Sequence, residues 1–208
     1  MGRITLNKTF RSWIELWESL STDLNTMFTE LFYPNKLSAP LVTTPVSTVV
    51  VEEYGDGKDM TTILTLTDFV VGYIPAAAAA LGVGNIVAAF PAGAHIEDTF
   101  YQNLSLKIPG TAVSADVGLG SVVAVGAVSV LSGTSTFEDR LTGQTITTDP
   151  AGGTAVVALV RAAVGGISLN VAASVKNIFL NAAGTWHVDN HSDLYATGTI
   201  VIKWNKIA

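Results

Sequence analysis

The chain has 208 residues, no cysteine and a formal net charge of −6, with 49% apolar and only 13% charged residues, against about 25% charged in ordinary soluble domains. These values exclude a disulfide framework, a zinc–thiolate site and thiol chemistry, and they argue against disorder, which needs low hydrophobicity and high charge. Residues 1–47 carry four basic and four acidic groups, so the acidic excess lies wholly in residues 48–208; with no basic patch, nucleic acid is not an expected partner.

Residues 1–33 read as a short polar arm followed by an amphipathic helix. From Phe10 the large apolar residues fall at Trp13, Trp17, Leu20, Leu24, Met27 and Leu31, in alternating steps of three and four. That is a coiled-coil seam. Ser12 and Glu15 have capping-box spacing at its start, and Pro34 marks its end. Burying each such side chain is worth about 1.5–3 kcal/mol, so the stripe demands cover. The expected cover is other chains. Phe10, Trp13 and Trp17 are bulky for a tight dimer and suit a homotrimer, or a groove on a partner protein. The N-terminus itself lacks the apolar core of a secretion signal.

Residues 34–47 contain Pro34, Pro40 and Pro45, which favour extended, semi-rigid chain. They are expected to form a spacer between the helix and a second body, residues 48–208.

That body reads as β structure throughout. TVVVEE precedes a turn at YGDGKD, where Gly55 and Gly57 permit tight backbone, and TTILTLTDFVVGYI follows. The stretch 75–85, with five alanines between Pro75 and the glycines, reads as a loop holding at most one helical turn. Residues 95–108 alternate most cleanly. Ile96, Phe100, Leu104, Leu106 and Ile108 share the parity expected to face the core, while His95, Glu97, Thr99 and Tyr101 share the other. Further strands are expected at 112–117, 121–131, 154–163, 167–173, 175–180 and 194–204, the last with Leu194, Ala196, Ile200, Ile202 and Trp204 on one face. The fold class is therefore mainly β, an antiparallel β-sandwich or jelly roll preceded by an N-terminal amphipathic α-helix. The uncharged stretches 69–94 and 117–137 exceed the length of a membrane span. The first is broken by Pro75, Pro91 and several glycines, and flanking Lys and Arg are missing, so no membrane partner is expected.

Few residues carry chemistry. His187, Asp189, His191 and Asp193 would share one side of a continuous strand and form a possible ligand set for zinc, manganese or calcium. Asp189-Asn190 is also a common turn pair, and a polar loop is the expected outcome, with no metal and no cofactor. His95, Glu97 and Asp98 form a second cluster, but adjacent strand residues face opposite ways. Glu138-Asp139-Arg140 reads as a turn with a local ion pair. Nucleophile-elbow, dinucleotide and Walker patterns are missing, and no enzyme activity is expected. Tyr101, Trp186, His187 and Tyr195 are the residues suited to stacking on sugar rings, which leaves a receptor- or carbohydrate-binding module as the alternative.

TTILTLTDFVVGYIP, FPAGAHI, LNAAGTW and ATGTIVIKW resemble a family of tailed-bacteriophage virion proteins commonly encoded near the major capsid gene. The resemblance covers roughly residues 55–206, not the N-terminal helix. It implies a capsid decoration protein, cement protein or short head fibre. The expected partner is then the major capsid protein and the expected location the capsid surface of the virion. Phe10, Trp13, Trp17, Leu20, Leu24, Met27 and Leu31 are the expected oligomer- and capsid-binding residues.

Overall fold

A computed structural model of the chain describes residues 35–73, 82–108, 114–126, 131, 136–147, 157–161, 175–184 and 193–207. The chain divides into two compact units, Met1–Lys36 and Leu37–Ala208. The stretch expected to form the amphipathic helix, with all seven seam residues, lies outside the described residues.

The second unit is mainly β, with nine strands among its described residues, in two antiparallel sheets: β1 (Val49–Gly55), β2 (Asp59–Gly72), β3 (Gly82–Phe90), β4 (Ala94–Lys107), β5 (Ser114–Gly120), β6 (Leu141–Thr147), β7 (Val157–Arg161), β8 (Lys176–Ala183) and β9 (Leu194–Lys206). One sheet has the order β1-β2-β9-β4-β7 and the other β3-β8-β5-β6. Most connections therefore pass from one sheet to the other, and only β1–β2 and β5–β6 join neighbours in sequence.

Both sheets feed one apolar core. Leu64, Leu66, Phe69, Leu104, Leu106, Ile200 and Trp204 come from the first, and Phe90, Val117, Leu119, Leu141, Ile178 and Leu180 from the second. The β9 face expected from parity is the one found: Leu194, Ala196, Ile200, Ile202 and Trp204 are all buried.

β4 departs from its expected parity. Its register against β9 shifts between Ile96 and Asp98 and again between Gln102 and Ser105. An extra residue in a strand moves every following side chain to the opposite face. Thr99 and Tyr101 are therefore buried, while Phe100 is only half-buried on the outer side, and Leu104 and Leu106 return to the core after the second shift. The β2–β9 register shifts at the same level, between Leu66 and Phe69. Asp68 (φ 47°) and Asn103 (φ 54°) sit in the left-handed region at these two bulges, as short polar residues tolerate. Between them Gly198 of β9, at φ 144°, approaches so closely that a Cβ would lie 2.5 Å from the Asn103 carbonyl oxygen.

Other boundaries also moved. β3 starts at Gly82, inside the stretch read as a loop. β6 was not foreseen, since LTGQTIT is polar and contains a glycine. Residues 121–125, expected in a strand, run as irregular chain to an isolated bridge at Gly126. The expected strand at 167–173 lies outside the described residues.

From Leu37 onward, the proline-bearing stretch read as a spacer lies within the second unit. Val42 is 2% exposed, and Leu37 and Val46 pack against the core. Extended chain without helix propensity still buries apolar side chains where a sheet edge offers backbone partners, and here it does so.

Candidate functional site

The polar groups that the fold buries are the places where sequence and structure are most tightly coupled, because an unsatisfied buried polar group costs about 1–3 kcal/mol. Two such constellations stand out.

The first centres on Glu53 of β1, which is fully buried and faces inward opposite Thr62 of β2. The indole Nε1 of Trp204 donates to Thr62 Oγ1 at 2.8 Å, and Thr62 Oγ1 donates to Glu53 Oε1 at 2.8 Å. Glu53 Oε2 accepts the backbone N–H of Val42 at 3.2 Å and that of Leu41. One carboxylate thus ends a side-chain relay from β9 and fastens an irregular segment. Every oxygen is committed to a fixed donor, so the group works as a structural fastener rather than as a general base.

The second centres on Asn181 of β8, also fully buried. Its Oδ1 accepts the N–H of Ala124 at 2.9 Å, and its Nδ2 donates to the carbonyls of Val122 at 2.9 Å and Phe137 at 2.6 Å. Gly84 of β3 makes room for it, since a Cβ there would lie 1.9 Å from Asn181 Oδ1. Nearby, Asp139 accepts both the N–H and the hydroxyl of Ser121 at 2.8 Å, and the Arg140 guanidinium stands 3.7 Å from the same carboxylate. Glu138 is buried and accepts the N–H of Gly143 at 2.6 Å.

The Asn181 bonds tie Val122 and Ala124 to β8 through a side chain, in place of backbone pairing. β5 pairs with β8 only from Phe179 onward, whereas β3 pairs with it from Lys176. The gap is an open groove of about 440 Å³ lined by Ser121, Val122, Val123, Val175, Lys176, Asn177 and Phe179. Val122 and Val175 are exposed on its walls. Partial burial, and then the Arg140 charge, lower the Lys176 ammonium below the usual lysine range, with Asp139 opposing. The groove can hold an aliphatic segment, but it contains no nucleophile–base pair.

Of the residues singled out from sequence, the described ones do not converge on one site. Of the HVDNHSD set, only Asp193 is among the described residues, half-buried at the entry to β9; His187, Asp189 and His191 lie outside them. Among the described residues no group of three His, Cys, Asp or Glu side chains converges as a metal site. His95 is buried on the strand position directly across from Asn205, whose Nδ2 donates to Glu97 Oε1 at 2.7 Å. Asp98 pairs instead with Lys203, after the bulge. Tyr101, considered above for sugar stacking, is fully buried, and its hydroxyl makes no hydrogen bond. Burial, reinforced by the Glu138 charge, pushes that phenol well above the ordinary tyrosine range. Tyr195 is half-buried, and Trp186 lies outside the described residues. Glu53 and Asn181 went unrecognised in the sequence. The only signal was a charged or amide residue at an inward position of an otherwise apolar alternation.

No described helix is long and apolar enough to cross a membrane. No protein-family model, no curated protein and no solved structure matches the chain.

Proposed function

We propose that this chain is a non-enzymatic virion structural protein that binds the major capsid protein of a tailed bacteriophage and decorates or stabilises the head. The observation that carries the reading is the strand order. If β1 is set aside as an added edge strand, β2-β9-β4-β7 faces β3-β8-β5-β6, which is the order of two interleaved Greek keys in a jelly-roll sandwich. Jelly rolls recur in viral capsid and lectin domains. A fold hosts many functions, so the strand order supports the reading through architecture and not through a site.

Other features agree with it. The buried polar groups fasten loops. The body has few charges and many small residues, which suits side-by-side packing on a shell. The seam from Phe10 to Leu31 supplies the means of gathering three copies and meeting a capsid protein. Burial of Tyr101 takes one of the four stacking residues away from the carbohydrate-binding alternative.

The test uses the full-length chain and shells assembled from the major capsid protein encoded nearest to it. The protein is expected to sediment as a trimer and to co-sediment with the shells at saturable stoichiometry. Trp13→Asp combined with Leu20→Asp is expected to abolish both. A monomer that ignores the shells overturns the reading, and specific glycan binding without shell binding favours the alternative.

A further inference from the structure

The outer side of the first sheet brings together polar side chains that lie far apart in the chain. His95 of β4 stands directly across from Asn205 of β9, and Asn205 directly across from Asp59 of β2. Directly paired residues share one side of a sheet. Their neighbours Met60, Ile96 and Trp204 belong to the core, so the row His95, Asn205 and Asp59 lies on the outer side. The register shift between Ile96 and Asp98 leaves Glu97 outside the pairing, and its Oε1 accepts the Asn205 Nδ2–H at 2.7 Å.

An ionised carboxylate only accepts, so this bond fixes which end of the amide is which. Glu97 takes the Nδ2 end, and Asn205 Oδ1 is left buried with no hydrogen-bond donor. On the facing position His95 is 8% exposed, and its Nδ1 is likewise buried without a partner. Buried polar atoms are nearly always satisfied, so two orphans on directly paired positions call for a shared occupant. An imidazole nitrogen that carries no proton, an amide oxygen and a carboxylate are all metal ligands. Glu97 is exposed and Asn205 half-buried, which leaves a path from solvent. Asp59, exposed at the far end of the row, adds a second negative charge. Lys203, on the same side of β9, stands across from Asp98.

We propose that His95 Nδ1, Asn205 Oδ1 and the Glu97 carboxylate bind one divalent transition-metal ion of the zinc or cobalt class. An imidazole among oxygen donors favours that class over calcium and magnesium, which take oxygen ligands. The third donor is an amide, so the set is consistent with the lack of a triad of His, Cys, Asp or Glu among the described residues. This inference does not depend on the capsid reading.

The test uses the untagged full-length chain, freed of metal by chelation. Zinc binding is followed by calorimetry, cobalt binding by visible absorption, and the His95 ring nitrogens by NMR. Saturable binding of a single zinc ion per chain is expected, with the His95 Nδ1 resonance shifting as zinc is added. Glu97→Gln and His95→Phe are each expected to weaken binding at least about tenfold, the loss that even an outer-shell partner causes. His187→Ala combined with His191→Ala is the control for the remaining histidines and is expected to keep the parental affinity. No saturable zinc binding overturns the proposal, since a proton on His95 Nδ1 shared with Asn205 Oδ1 then satisfies both orphans. Binding that survives both Glu97→Gln and His95→Phe, or that is lost only in the control, overturns it equally. If His95→Phe does not fold, Glu97→Gln decides together with the Nδ1 resonance, because Glu97 is exposed.

Discussion

Phe90 and Trp204 meet edge to face across the two sheets, with ring centroids 5.5 Å apart and planes at 87°. The same indole sends its N–H to Thr62 and so into the Glu53 relay. A single side chain thereby joins the apolar contact between the sheets to the polar contact that fastens Leu41 and Val42.

Trp204→Phe is expected to cost about 1–2 kcal/mol, because the edge-to-face contact can persist while Thr62 loses its donor. Trp204→Ala is expected to cost about 3–5 kcal/mol through the cavity it leaves. Urea unfolding of both variants measures the difference, and equal losses would mean that the indole N–H contributes nothing.

Glu53→Ala leaves the Thr62 hydroxyl and the Leu41 and Val42 N–H groups without acceptors. The expected destabilisation is about 2–4 kcal/mol, several buried donors being orphaned together. Amide exchange should rise first at Leu41 and Val42 and only later in β9. A uniform rise would mean that the relay has no local role.

Gly84→Ala drives a methyl group into Asn181 Oδ1. The carboxamide must then release Val122, Ala124 or Phe137. A loss of about 1–3 kcal/mol is expected from overpacking. In Gly84→Ala with Asn181→Ala, part of that loss should return, because the clash is gone. A double-mutant cycle measures this coupling, and strict additivity would refute it.

Tyr101 gives a pH dependence with a definite sign. Its folded-state pKa is raised well above the ordinary tyrosine value of 10.0 by burial and then by Glu138. The folded state thus keeps a proton that the unfolded chain loses above that value. The stability from this group is complete below pH 10 and falls as the pH rises towards the folded pKa. Tyr101→Phe should leave neutral-pH stability unchanged or raise it by about 1 kcal/mol, since the buried hydroxyl has no partner. It should also flatten the alkaline decline relative to the parent. Parallel stability curves for the two proteins from pH 8 to about pH 11 would contradict this.

The chain's own order determined that its second unit is built of strands. Alternation in β9 placed Leu194, Ala196, Ile200, Ile202 and Trp204 on one face without any knowledge of neighbours, because a strand's side-chain period is a local property. Prolines at 40 and 45 likewise settled that the segment before the strands is neither helix nor regular ladder. Only the tertiary structure decided the rest. The phase of β4 depends on bulges against β9, so Tyr101 rather than Phe100 is interior. β6 exists because β5 offers it an edge. Glu53 and Asn181 look misplaced in a linear alternation, and they become intelligible once Leu41 and Val42, and Val122, Ala124 and Phe137, arrive with the donors and acceptors they need. Local propensity is written residue by residue. Pairing order and polar satisfaction arise between residues far apart in the chain, and their energies have no value until the partners meet.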